Sequence, residues 1–180
     1  MSTYCAVAAG HPLHGPYHDH EYGFPLREET ALFERLALEI FQAGLSWELI
    51  LRRRPGLSRA FAGFDPDRVA AFDAADIARL LADPAIIRNR AKVEALIENA
   101  KRVIALRASH GGFAAWLDAH HPRAPEAWVK LFRATFRFTG PEVVREFLLS
   151  TGYLPGAHAE GCPVAARIAA ARPPWMGDRD

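Results

Sequence analysis

Residues 39–47 read Glu39-Ile40-Phe41-Gln42-Ala43-Gly44-Leu45-Ser46-Trp47, and the reading of this stretch decides the fold. It opens as the last turn of an apolar helix, breaks at Gly44 and restarts at Ser46, a residue suited to cap a new helix. Upstream, Leu32, Phe33, Leu36, Ile40 and Phe41 recur at three and four, which predicts a helix over 29–43. Downstream, a second helix runs over 46–54 until Pro55-Gly56 stops it. The corner also sets a carboxylate, Glu39, among apolar residues, and a large flat ring, Trp47, just past a helix start. Such a pair suits a flat, electron-poor ligand; it is equally the plain architecture of many helical corners.

The same helical patterning extends outward. Residues 1–28 are dense in His, Pro, Gly and Tyr and predict an ordered but mostly irregular segment. Residues 57–64 predict a short helix anchored by Phe61 and Phe64, and Asp65-Pro66 starts the next. Asp76 is placed to cap a helix carrying Ile77, Leu80 and Leu81. Pro84 opens the longest periodic stretch, with Val93, Leu96, Ile97, Ala100 and Ile104 on one face, and Gly111-Gly112 ends it. A helix over 113–120 breaks at His121-Pro122, and another runs over about 126–134. A tight turn at Phe136–Pro141 follows, then a helix with Val143, Val144, Phe147 and Leu148 inward that Gly152 ends. A short Ala-rich helix lies after Cys162, and the tail from Ala171 reads as loose. No segment alternates as a strand does. The expectation is one all-α domain over 1–162, with a C-terminal extension, 163–180, that is partly flexible.

Bulk properties exclude several classes. The chain has 180 residues, enough for a real core, and half of them are hydrophobic. A net charge of +1 gives no global attraction to polyanions, so any nucleic-acid site is a local patch. No apolar run approaches the ~18 residues a membrane span needs, so no membrane partner is expected. The opening run MSTYCAVAAG has no basic start or long apolar core, which argues against a signal peptide. Two cysteines make no disulfide scaffold, and a cytoplasmic location is expected.

Three groups of residues carry chemistry. Cys5 pairs with His18 and His158 with Cys162, near the two ends of the chain. The pairs read either as a closed, structural Cys2His2 zinc site or as inert thiols with incidental histidines. The run Tyr17-His18-Asp19-His20-Glu21-Tyr22-Gly23 packs phenols, imidazoles and carboxylates together, either lining a polar pocket or lying solvated. Lys130, Arg133 and Arg137 flank the Phe138-Thr139-Gly140 turn, and a turn between helices can aim backbone N–H groups at a phosphate. The alternative is ordinary surface charge. No Gly-rich nucleotide loop, nucleophile elbow, His-Glu-x-x-His or zinc-deaminase pattern is present.

Together these stretches resemble the 3-methyladenine DNA glycosylase I family of base-excision repair. The resemblance is carried by Cys5, Tyr17-His18-Asp19-x-Glu21-x-Gly23, Leu38-Glu39-x-x-Gln42-Ala43-Gly44-Leu45-Ser46-Trp47 and Ile86-Ile87-Arg88-Asn89-Arg90-x-Lys92. Asn99-Ala100, Phe136-Arg137-Phe138-x-Gly140 and His158-x-x-x-Cys162 complete it. It implies a helix-hairpin-helix glycosylase fold, with the Arg137–Pro141 turn as the hairpin. It implies one structural zinc per chain, held by Cys5, His18, His158 and Cys162. The implied partner is double-stranded DNA bearing an alkylated purine, gripped through Lys130, Arg137, Thr139 and Gly140 by a monomer that releases the free modified base. Members lack the catalytic Asp that most hairpin glycosylases carry after the hairpin, and this chain has no Asp between Gly140 and the final Gly-Asp-Arg-Asp.

The implied reaction hydrolyses an N-glycosidic bond. Methylation at N3 makes adenine cationic and already a good leaving group, so a pocket that selects the cation by hydrogen bonding and stacking and admits a water carries much of the catalysis. The resemblance assigns Glu39 and Tyr17 as catalytic, with Trp47, Tyr22 and Ser46 contacting the base after it flips out of the duplex. Three positions depart from the family pattern: Val7 and Tyr22 stand where it carries Trp, and His14 where it carries Tyr. The chain is also shorter between Ala108 and Phe136. The alternative is a non-catalytic or retargeted relative that binds damaged DNA.

Overall fold

The computed structural model describes residues 3–177. Eleven α-helices and two short 3-10 turns occur among the described residues, and no strand does. In order these are α1 (Thr3–Ala8), α2 (His14–His20), α3 (Glu29–Gln42), α4 (Trp47–Ala60), α5 (Pro66–Ala70) and α6 (Ala74–Ala82). Then come α7 (Arg90–His110), α8 (Phe113–His120), α9 (Pro125–Thr135), α10 (Pro141–Ser150) and α11 (Pro163–Ala170). The all-α expectation holds.

Helix α3 is the centre. Its run from Leu36 to Phe41 is buried on every side, as an all-round apolar helix must be, and α4, α7, α8 and α10 pack against it. A second, smaller cluster of Tyr17, Tyr22, Leu51, Leu149 and Ala157 lies against one end of this core. Glu39 therefore reaches its place from the most enclosed helix in the molecule.

Local boundaries differ from the sequence expectation where tertiary contacts override propensity. Helix α4 runs on through Pro55-Gly56 to Ala60. A β-carbon on Gly56 would lie 2.7 Å from the carbonyl oxygen of Ala85, so this glycine serves close packing and ends no helix. Residues 57–64 are thus the end of α4 and a 3-10 turn, with Phe61 and Phe64 stacked at 5.9 Å. Asp73 caps α6, and Asp76 answers it across a capping box. The segment after Pro84 begins with a turn at Pro84-Ala85 and stays non-helical until Asn89 caps α7. Residues 1–28 were expected to be irregular but contain α1 and α2. The ring Nδ1 of His11 accepts the N–H groups of Leu13 and His14, capping a helix whose Gly15 and Pro16 disfavour it. In the tail, the Trp175 N–H donates to the Gly152 carbonyl at 3.1 Å and Pro173 is buried, so Arg172–Gly177 is docked.

Helix α7 carries two clamps. The Lys92 ammonium, buried, donates to the carbonyls of Phe41 (2.8 Å) and Ala43 (2.7 Å) and so pins the corner at Gly44, whose φ of +81° needs a glycine. Asn99, wholly buried, grips both backbone groups of Arg137: Oδ1 accepts its N–H at 2.7 Å and Nδ2 donates to its carbonyl at 3.0 Å. One rigid helix thereby fixes the corner and the turn relative to each other. Lys92→Met is expected to cost roughly 2–3 kcal/mol by stranding two helix-end carbonyls, read as a lower urea midpoint. An unchanged midpoint would show that the clamp bears no load.

Candidate functional site

Beside the end of α3 lies a cavity of about 140 Å³, lined by Tyr4, Tyr17, Tyr22, Glu39, Gln42, Trp47 and Glu146. Four of the residues singled out in the sequence (Tyr17, Tyr22, Glu39 and Trp47) meet here. The elements explain why. Helix α2 turns Tyr17 inward, the C-terminal half of α3 presents Glu39 and Gln42, and the Gly44 corner delivers Trp47 at the first position of α4. Trp47 and Tyr17 lie 5.0 Å apart between ring centroids. The hydroxyl of Tyr17 and the indole N–H of Trp47 are buried without a hydrogen-bond partner among the described residues. Two orphaned polar atoms in one cavity are costly unless a ligand meets them.

Glu39 is 4% exposed. Burial first, then the charge of Glu146, push its carboxyl up to about 8, with Arg35 pulling the other way. Arg35 is committed elsewhere: its guanidinium donates to the Ser150 carbonyl (2.9 Å) and to Glu21 (3.1 Å) and stacks 5.0 Å from the Tyr17 ring centroid. Glu39 is thus a carboxyl without a cation of its own. The phenols of Tyr4, Tyr17 and Tyr22 are all raised by burial and stay neutral.

Three lining residues were absent from the sequence assignment. Gln42 was part of the quoted motif without a role. Tyr4 precedes a cysteine in a stretch read as irregular; its ring packs 5.2 Å from Tyr22, and its hydroxyl lies 3.2 Å from His14 Nδ1. Glu146 gave no signal because nothing local distinguishes it from surface charge on α10. Ser46, by contrast, lies outside the cavity. It is exposed and its hydroxyl accepts the Leu49 N–H at 3.2 Å, which makes it the cap of α4 and no base contact.

The Cys and His pairs do converge. The ligand atoms of Cys5, His18, His158 and Cys162 all lie within 4.8 Å of one another. Sulfur–nitrogen separations are 3.8 Å (Cys5–His158), 3.8 Å (Cys162–His18) and 3.5 Å (Cys162–His158). The far nitrogen of each ring is held: His18 Nδ1 lies 2.7 Å from Asp19, and His158 Nε2 donates to the Tyr22 carbonyl at 2.7 Å. Both rings therefore present a lone pair towards the sulfurs. Burial raises the Cys5 thiol, but the Ala159 N–H and His18 outweigh it and hold it below the usual range. A second convergence, of His11, His14 and Glu48, is weaker as a metal site because the Nδ1 of His11 already serves as the cap of α2.

At the turn, Arg137 and Phe138 are exposed and Phe138 has φ +61°. They border an open hollow shared with Arg133 and Gly140. Lys130 sits in the adjoining groove between α9 and α10, again with Arg133. Thr139 faces inward: it is buried, and its hydroxyl donates to the Phe136 carbonyl at 3.3 Å, so its side chain stiffens the turn and reaches no outside ligand.

The sequence model of the methyladenine glycosylase family matches residues 7–128. DNA-3-methyladenine glycosylase 1 of Escherichia coli (strain K12) is 32% identical over 177 residues, covering 88% of this chain and 94% of the relative. DNA-3-methyladenine glycosylase of Haemophilus influenzae is 32% identical over 182 residues, covering 91% and 98%. The solved 3-methyladenine DNA glycosylase I of Staphylococcus aureus superimposes with a TM-score of 0.80 at 32% identity, over 90% of this chain and 96% of that one. A single-residue variant of 3-methyladenine DNA glycosylase I in complex with 3-methyladenine gives 0.81, over 90% and 97%. Identity of this order, sustained along nearly the whole chain and on one superimposable fold, reflects descent: the chain belongs to the methyladenine glycosylase family.

Proposed function

We propose that the protein excises 3-methyladenine and related cationic purines from double-stranded DNA by hydrolysing the N-glycosidic bond. The observation that carries this is Glu39, a carboxyl without a cation partner on the wall of a cavity on the scale of one flat base. A neutral adenine entering there gains nothing from Glu39. A cationic base drives the carboxyl to ionise and gains a desolvated ion pair, so the pocket selects by charge. Trp47 and Tyr17 supply ring faces, and their orphaned N–H and O–H meet the edge of the base. Stacking of this kind is worth roughly 1–3 kcal/mol per base.

The Arg137–Pro141 turn is read as the hairpin of a helix-hairpin-helix element, with the start of α10 and the cations Arg137 and Lys130 on the DNA backbone. The surface at Gly140 is open, since a β-carbon at that position would meet nothing within 4 Å.

The Cys5, His18, His158 and Cys162 cluster is assigned to one zinc ion. The donor set fits: a tetrahedral ion with ordinary Zn–S and Zn–N bonds separates sulfur from nitrogen by about 3.5–3.6 Å, close to the distances seen. Four protein ligands would leave no open position, so zinc would supply a cross-link between the chain ends and no Lewis acid for the reaction.

Incubation with N-methylated DNA, followed by chromatography of the released bases, tests the activity. Free 3-methyladenine is the expected product; tight binding to abasic-site DNA without any release would point to a binding-only relative.

A further inference from the structure

The cavity holds a second acid. Glu146 lies on α10 and lines the same space as Glu39, at a different depth. Glu39 is 4% exposed, whereas the side chain of Glu146 is 30% exposed, which puts one carboxyl at the floor and the other at the mouth. A flipped base enters ring first. Its glycosidic bond, its sugar and the attacking water therefore stay at the mouth. The carboxylate suited to act on that water is the outer one.

From this arrangement we propose that Glu146 is the general base of the excision reaction; the inference rests on the glycosylase reading above. Glu146 takes a proton from the water as the water oxygen bonds to C1′ of the sugar. The C1′–N9 bond breaks and its electron pair goes to the purine, cancelling the positive charge. Free neutral base, an abasic hydroxyl and a protonated Glu146 result, and the proton then leaves to solvent. The segment after the turn contains no Asp, but it does contain this Glu on the helix that begins at the turn. A single rigid helix would then both grip the DNA backbone and carry the base.

The surroundings suit the role. Tyr22 Oη donates to Oε2 at 3.2 Å and Arg145 donates to Oε1 at 2.7 Å, which fixes the carboxylate and leaves each oxygen further acceptor capacity. Burial raises this carboxyl above the usual range, with Arg145 and Tyr22 opposing the rise and Glu142 adding to it, so it is a better proton acceptor than a free glutamate. The titratable and charged groups facing it are Arg145 and Glu142 on its own helix, Tyr22 after α2, Tyr17 on α2, Glu39 on α3 and Tyr4 on α1. The tyrosines are neutral, and Glu39 pairs with the cationic base. Glu146 then adds an acid limb of its own to the one set by Glu39, which must release its proton to pair with the base.

The test is single-turnover base release from N-methylated DNA across pH 5–9. Glu146→Gln keeps the hydrogen bond to Tyr22 but cannot take a proton. It is expected to release base about 10- to 100-fold more slowly, to lose the part of the acid limb that Glu39 does not set, and to bind abasic-site DNA within twofold of the parent. Glu146→Ala with added formate is expected to recover part of the rate, which a purely structural role would not allow. A Glu146→Gln rate within twofold of the parent, or an Ala variant unmoved by formate, overturns the assignment. If the parent itself releases no alkylated base, the glycosylase reading fails and this inference with it.

Discussion

Glu39→Gln is expected to slow release of 3-methyladenine by about 10²–10³-fold while making the folded protein more resistant to heat at pH 8. The first effect follows from charge. Glutamine preserves shape and hydrogen-bonding capacity but cannot ionise when the cationic base arrives, and loss of one preorganised electrostatic partner in a water-excluded site has this magnitude. The second follows from proton linkage. Glu39 is held near 8 when folded, while an unfolded glutamate titrates at about 4.3. Between those values the folded state keeps a proton that the unfolded state has released. The stability this contributes is whole below about pH 4.3 and drains away as pH climbs through 8, by a few kcal/mol in total. The Gln variant lacks that decline. Melting curves of both proteins from pH 5 to 8 should diverge, and release assays at pH 7 should separate them. Parallel melting curves would show that the carboxyl is not held neutral, and equal release rates would remove Glu39 from base recognition.

Cys162→Ser is expected to abolish stoichiometric zinc and to lower stability by roughly 3–5 kcal/mol, the scale of a cross-link that closes a loop of this length. Helix α1 is only six residues long; it packs on α2 and places Cys5 in this cluster and Tyr4 in the cavity wall. Its release would carry Tyr4 out of the cavity, so base excision should fall together with the melting temperature. Metal analysis of the purified variant and thermal unfolding with and without a chelator give the two readings. A variant with one zinc per chain would sink the four-ligand assignment.

The sequence alone disclosed the all-α class, because α3, α7 and α10 bury faces whose spacing is visible in one dimension. It disclosed the glycine corner because its local pattern is distinctive; the four Cys and His residues were joined by the family resemblance, since their spacing alone also suits incidental thiols and histidines. It misplaced the end of α4, since Gly56 answers to the carbonyl of Ala85 in a distant segment. It missed α1 and α2, whose stability comes from the His11 cap and from burial of Tyr17 and His18 and owes little to helix propensity. Tyr4, Glu146, Lys92 and Asn99 have the same lesson in common. Each acts through a partner remote in sequence, and no window of neighbouring residues records that partner. The hydroxyls of Thr139 and Ser46, which the resemblance set toward ligands, are instead bonded to nearby backbone.

The junction of Cys5 with His158 also orders events during synthesis. The two residues are 153 positions apart. At ~5–20 residues per second, a ribosome needs roughly 8–30 s to pass from one to the other. During that interval α1 can pack on α2 and Cys5 can meet His18, but the cluster lacks His158 and Cys162 and cannot close. The core around α3 needs α10, which ends shortly before His158. The cavity, which takes Glu146 from that same helix, is therefore completed late, and a nascent chain that stalls before α10 lacks one of its walls.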